Sequence, residues 1–183
     1  MPKLKASKKA APGKKSANPA GCRVGLPNVP AMYGLKPRQQ YLPFSHAEER
    51  LTNARNYRIR TSRPDGRPHS ISVWGFWLDG AFYFGTARAS RKARNLALNP
   101  AISIHLESGN DVVILEGTVV EVDLNDKARV QPLDAASRAK YKMPLMAMPE
   151  VVLYSVYPRV VLAWTEKYFP NNATRWQFDT AKS

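Results

Sequence analysis

The sequence predicts a mainly β fold of the α+β kind, a small antiparallel barrel with a few peripheral helices. Three observations carry this expectation. Apolar and polar residues alternate through Tyr57-Arg58-Ile59-Arg60-Thr61-Ser62, the period of a half-buried strand. Two tight-turn signals, Arg63-Pro64-Asp65-Gly66 and Asp79-Gly80, follow at short intervals, so successive strands should fold back on one another. Most predicted strands are joined locally rather than through alternating helices, which favours an antiparallel barrel over a parallel α/β sheet.

At 183 residues the chain is long enough for one domain with a proper core. Its net charge of +14 is unevenly spread: residues 1–38 hold Lys3, Lys5, Lys8, Lys9, Lys14, Lys15, Arg23, Lys36 and Arg38 and no acid. The Lys, Ala, Pro, Ser and Gly content of residues 1–19 predicts a disordered basic tail, a solvated extension or a weak electrostatic contact. Residues 20–45 carry Pro and Gly among a few apolar anchors and predict an irregular arm. The folded domain is expected over 46–183.

Within it, Ser45 reads as an N-cap and Glu48 as its capping-box partner, predicting a helix from about His46 to Asn56. After the strand at 57–62, a second strand over about 68–77 should place Ile71, Val73, Gly75 and Trp77 on one face. Ser70, Ser72, Trp74 and Phe76 then lie on the other. The third strand, about 81–86, returns from Asp79-Gly80 to complete a meander. A helix from Ser90 to Leu98 is stopped by Pro100, and alternation resumes over 101–107. Ser108-Gly109-Asn110-Asp111 turns the chain into a long strand, 112–122, whose run Val112-Val113-Ile114-Leu115 predicts burial on both faces. A polar helix is expected over about 125–142, then a Met-containing loop bracketed by Pro144 and Pro149. Two strands, 151–157 and 160–165, should flank Pro158-Arg159, and a short strand closes the domain at 174–178.

Several function classes are excluded or disfavoured. No apolar run approaches the roughly 20 residues that span a bilayer, and no apolar core follows the basic N-terminus as in a secretory signal. Cys22 is the single cysteine, so no internal disulfide can form. A cytoplasmic protein is the expectation. His46, His69 and His105 show no zinc spacing, and no metal site is predicted. There is no Gly-x-Ser-x-Gly elbow, Walker loop or Gly-x-Gly-x-x-Gly. Nucleic-acid binding is disfavoured because the aromatic strands lack interleaved cations and the charge sits in a separable tail.

The chemistry concentrates between residues 66 and 100. Ser90, Arg91 and Lys92 stand at a predicted helix start, where a hydroxyl, a forked cation, a point charge and free N–H groups would suit a phosphate. The alternative is a capped helix with a solvated first turn. Cations are unfavourable at the positive end of a helix dipole, which favours an anion there. Trp74, Phe76, Trp77, Phe82, Tyr83 and Phe84 form an aromatic wall for a core, a subunit interface or a flat ring system. His69, just before the second strand, is a further candidate ligand contact.

These residues resemble the pyridoxamine 5′-phosphate oxidase-like family of FMN-binding split barrels. The likeness runs through Arg63-Pro64-Asp65-Gly66-Arg67-Pro68-His69, Val73-Trp74-Gly75, Ser90-Arg91-Lys92-Ala93-Arg94-Asn95-Leu96 with Asn99-Pro100, Val113-Ile114-Leu115-Glu116-Gly117 and Ala173-Thr174-Arg175-Trp176-Gln177-Phe178. The resemblance implies a six-stranded antiparallel split β-barrel that forms a homodimer with cofactor at the interface. It implies that Ser90, Arg91 and Lys92, with Thr86, hold the cofactor phosphate and that the backbone around Ser72, Val73 and Trp74 faces the ring. His69 and Asn95 join the cofactor-binding set, and Trp164 and Arg175 close the site, from the other subunit. The implied activity is an FMN-dependent oxidoreductase acting on a small molecule by hydride transfer, with no catalytic side chain. F420 is the alternative cofactor, and a non-catalytic flavin- or haem-binding protein the alternative function. Two departures separate the chain from the true pyridoxamine phosphate oxidases. The second strand lacks their phosphate-binding Arg, and Asn171-Asn172-Ala173-Thr174-Arg175 stands where they carry Arg-Leu-His-Asp-Arg.

Overall fold

In the computed structural model residues 18–34, 36, 41–145 and 150–179 are described. Most of the expected basic tail, part of the arm and Pro149 lie outside the described residues. The elements are β1 (Cys22–Gly25), α1 (Phe44–Asn53), β2 (Tyr57–Ser62), β3 (Pro68–Val73), β4 (Phe76–Leu78) and β5 (Ala81–Ala87). They continue with α2 (Arg91–Leu98), β6 (Ala101–His105), β7 (Asp111–Glu121), α3 (Lys127–Tyr141), β8 (Val151–Thr165) and β9 (Thr174–Phe178).

All strand pairs are antiparallel, in the order β1-β9-β8-β7-β6-β2-β3, with β5 bridging β8 and β4. Because β4 directly continues β3 in the chain, the sheet curls back upon itself. β3 and β4 taken as one broken strand, with β2, β5, β6, β7 and β8, make six barrel strands, and β9 and β1 extend the edge. The sheet is not closed: the ladder is interrupted between Val73 and Phe76. This is a β-rich α+β fold of split-barrel type, as expected.

Four local expectations are corrected. The arm over 20–45 is not irregular throughout: Cys22–Gly25 forms β1, which pairs with β9 and joins the sheet. The predicted strand 68–77 is two strands, because the chain leaves its pairing with β2 at Val73 and takes up β5 from Phe76. The crossing is tight at Gly75, where a Cβ would lie 2.3 Å from Phe82 Cζ and 2.7 Å from the Tyr83 carbonyl oxygen. The two predicted strands around Pro158 are one strand, β8; a register shift opposite Glu116 and Gly117 accommodates the proline, which has no N–H to donate. The Ser45–Glu48 capping box does not form. Helix α1 begins at Phe44 after Pro43, without a side-chain cap, and ends at Asn53. Phe44 is buried against Trp176, Phe178 and Trp77, with ring centroids 5.5–6.3 Å apart, and Glu48 instead accepts from Trp77 Nε1 at 3.3 Å. Burying a phenyl ring contributes roughly 1.5–3 kcal/mol, more than the ~1 kcal/mol of a cap, so packing sets the helix start.

The barrel interior is filled by Tyr57, Ile59, Phe82, Phe84, Leu115 and Trp176. A second cluster, with Phe76, Tyr83, Leu133 and Leu153, lies under α3. Strand β5 is therefore buried on both faces, which accounts for its unbroken run Ala81-Phe82-Tyr83-Phe84. No helix among the described residues is long and apolar enough to cross a membrane.

Candidate functional site

Strand β5 ends beside the start of α2, and this junction is built as the sequence predicts. Ser90 is the N-cap, its Oγ accepting the Ala93 N–H at 3.2 Å and the Thr86 hydroxyl at 3.1 Å. With both acceptor positions used, the Ser90 hydroxyl proton is left to point elsewhere. The first turn of α2 holds Arg91 and Lys92 and no acid, so the helix dipole and the side chains are positive together.

The charge there lacks compensation. Lys92 is partly buried, and desolvation lowers its pKa. Neither it, Arg91 nor Arg63 has a carboxylate within salt-bridge distance among the described residues. His69, at the start of β3, faces the same region: burial lowers its pKa first, and Arg63, Lys92 and Arg91 lower it further. His69 Nδ1 and Arg63 Nε are both buried without a hydrogen-bond partner. Buried donors and cations are ordinarily satisfied, and leaving one unmade costs about 1–3 kcal/mol. These two orphaned nitrogens, with Arg91 and Lys92 free of counter-ions among the described residues, make an arrangement that an anion would suit.

Next to Lys92 opens a pocket of about 340 Å³. One wall is the Ser72–Phe76 segment with Gly85 and Thr86; the opposite wall is Tyr141, Met143, Pro144 and Leu145 from α3 and the turn after it. The Trp74 ring stacks on Tyr141 at a centroid distance of 4.9 Å and 10° between planes. Polar charge at one end and flat aromatic and aliphatic surface along the rest suit a ring system bearing a phosphate. The backbone of Ser72 and Val73 supplies peptide groups along that wall. Among the described side chains lining this pocket Tyr141 is held by backbone bonds, and there is no carboxylate or histidine.

Ser72, Val73, Trp74, Thr86 and Lys92 thus line one pocket, with Ser90, Arg91 and His69 at its charged end. Asn95 is placed otherwise. It is 1% exposed and its Nδ2 donates to Thr61 Oγ1 at 2.9 Å, tying α2 to β2. Trp164 and Arg175 lie in a separate hollow under residues 27–33, where Trp164 packs on Phe169 and Arg175 donates to Asn28 Oδ1 at 2.8 Å. Within one chain they do not meet the Lys92 pocket. A larger hollow of about 630 Å³, between β2, β6 and β9, contains none of the sequence-predicted site residues. The α3 wall was not anticipated from sequence. Its one signal was Pro144, shortly after the helix end, where Lys142 takes the left-handed conformation and the apolar Met143-Pro144-Leu145 segment follows.

A family model described as pyridoxamine 5′-phosphate oxidase matches residues 45–165. Among solved structures, a conserved hypothetical protein, Rv2991, of Mycobacterium tuberculosis aligns with a TM-score of 0.61 at 23% identity, covering 72% of this chain and 90% of that one. A pyridoxamine 5′-phosphate oxidase-related, FMN-binding protein of Nostoc punctiforme aligns with a TM-score of 0.51 at 21% identity, covering 72% and 85%. A chain named F420 reductase aligns with a TM-score of 0.50 at 23% identity, covering 68% and 97%. At these identities the likeness is one of fold. No curated protein matches the sequence.

Proposed function

The chain belongs to the pyridoxamine 5′-phosphate oxidase family, and from that premise we propose that it is a flavin-dependent oxidoreductase that binds FMN in the Lys92 pocket and acts on a small molecule. The observation that carries the reading is the uncompensated cationic end of that pocket: Lys92 and Arg91 without counter-ions, beside the orphaned Arg63 Nε and His69 Nδ1. A bound flavin would supply the hydride acceptor and donor; the chain supplies binding, orientation and exclusion of water.

Ser90, Arg91 and Lys92 hold the phosphate, with Thr86 fixing the Ser90 oxygen. The peptide groups of Ser72–Trp74 address the polar edge of the ring. Met143 and Leu145 shield it from solvent on the opposite side. Trp164 and Arg175 complete the pocket of a second copy, which makes a homodimer the working unit. The deazaflavin F420 is the second reading, favoured by the structure of the same fold that bears its name.

The test is a titration of purified protein with FMN and, separately, F420, followed by thermal unfolding. A ligand at 100 times its dissociation constant stabilises by about 2.7 kcal/mol, which raises the melting temperature by roughly 5–11 °C for a chain of this size. Lys92→Ala should abolish most of that rise. Absence of any shift with either cofactor refutes the reading.

A further inference from the structure

The pocket wall formed by Ser72–Phe76 is the point where the barrel ladder breaks, and such a break leaves peptide groups without strand partners. One side chain takes them up. Tyr141, the last residue of α3, accepts the Gly75 N–H at 3.0 Å and its hydroxyl lies 2.6 Å from the Gly75 carbonyl oxygen and 2.7 Å from that of Arg55. Its single proton serves these two carbonyls in turn. The ring of Tyr141 meanwhile stacks on Trp74, and the Arg55 guanidinium stands 5.7 Å from the Trp74 centroid and 5.6 Å from that of Tyr141. Three residues far apart in sequence thus converge on the backbone of Gly75, on the N–H of one peptide and the carbonyl of the next.

We propose that Tyr141 is a positioning residue for the cofactor: it holds the two peptides that flank Gly75 in the orientation that the ring meets, with the Arg55–Trp74–Tyr141 stack locking the side chains. The inference rests on the functional reading above and deepens it. Tyr141 is not called on to react. Desolvation raises its pKa, so it stays a neutral phenol throughout the physiological range, able to accept from an N–H and donate to a carbonyl at once. Phenylalanine would keep the stack but leave Gly75 with an unsatisfied N–H and carbonyl, free to swing out of the wall. The same residue anchors α3, and therefore Met143 and Leu145, against the opposite wall, so ring orientation and shielding are set by one hydroxyl.

The experiment compares the full-length wild type with Tyr141→Phe and Arg55→Gln by equilibrium titration of FMN and F420, and records the absorption spectrum and reduction potential of the bound cofactor. Tyr141→Phe should bind about tenfold more weakly, the equivalent of one lost hydrogen-bond pair, with a displaced absorption band and potential. Arg55→Gln, which leaves the hydroxyl in place, should weaken binding about two- to threefold in the same spectral direction. Should Tyr141→Phe fail to fold, the Arg55→Gln spectrum decides. A Tyr141→Phe protein with wild-type affinity, spectrum and potential overturns the inference while leaving the functional reading intact. A wild type that binds neither cofactor overturns both.

Discussion

Gly75→Ala tests the strand break most directly. A Cβ at this position would lie 2.3 Å from Cζ and 2.8 Å from Cε2 of Phe82, and 2.7 Å from the Tyr83 carbonyl oxygen. Carbon atoms pack best about 3.5–4.0 Å apart, so something must retreat by about 1 Å. Phe82 is fully buried in the barrel, with its ring centroid 4.6 Å from Tyr57, and the Tyr83 carbonyl belongs to the β4–β5 backbone. Neither can move cheaply. Overpacking of this kind costs about 1–3 kcal/mol. Gly→Ala where space exists should instead stabilise by about 0.4–1 kcal/mol through the unfolded chain, so the predicted sign is opposite to the default. For a chain of this length the melting temperature should fall by roughly 2–12 °C. Gly85→Ala is the control in the same pocket. Its Cβ would meet Val151 Cγ1 at 3.4 Å and nothing closer, so stability should hold while the pocket floor rises and cofactor affinity drops. The measurement is thermal unfolding of both variants without ligand. Gly75→Ala melting at or above the wild-type temperature would show that the wall is soft and refute the steric account.

Asn95→Ala should destabilise by about 1–3 kcal/mol, because the buried Thr61 hydroxyl loses its partner and a small void opens; denaturant unfolding measures it, and an unchanged midpoint would contradict the structural role. Cofactor affinity should tighten as pH falls from about 7 toward 5.5, because the depressed pKa of His69 keeps it neutral near pH 7 and a bound anion favours its imidazolium form. In His69→Gln that pH dependence should flatten; a titration that stays as steep as wild type would assign it elsewhere. Lys140, whose pKa desolvation lowers to about 8 from 10.5, is protonated in the unfolded chain and neutral in the folded one between those values. Stability should therefore rise with pH across about 8–10, by an amount reduced by solvent screening of this half-exposed group, and Lys140→Met should remove the slope in denaturant unfolding at successive pH values.

How much of this was legible beforehand follows from how local each signal is. Strand alternation over 57–62, the turn at Asp79-Gly80 and the Ser90 cap depend on neighbours within a few residues, and all appear where the sequence places them. The cationic helix start was readable for the same reason: a dipole and three side chains within one turn need no tertiary knowledge. The α1 cap was misread because Phe44 gains more from Trp176 and Phe178, over a hundred residues away, than Ser45 would from its own turn.

By itself, then, the sequence determined the β-rich antiparallel class, the helix start at Ser90 with its two cations, and the family resemblance. Only the tertiary structure decided where the ladder breaks, that β8 runs unbroken past Pro158, and that α3 supplies the second wall. It also separated Asn95, Trp164 and Arg175 from the pocket within one chain. The physical reason is range. Propensity, capping and turn chemistry act over a few residues and are written locally, whereas Gly75 with Tyr141 and Phe44 with Trp176 are contacts across the fold, and the charge of Lys92 reaches His69, only once the barrel has brought its ends together.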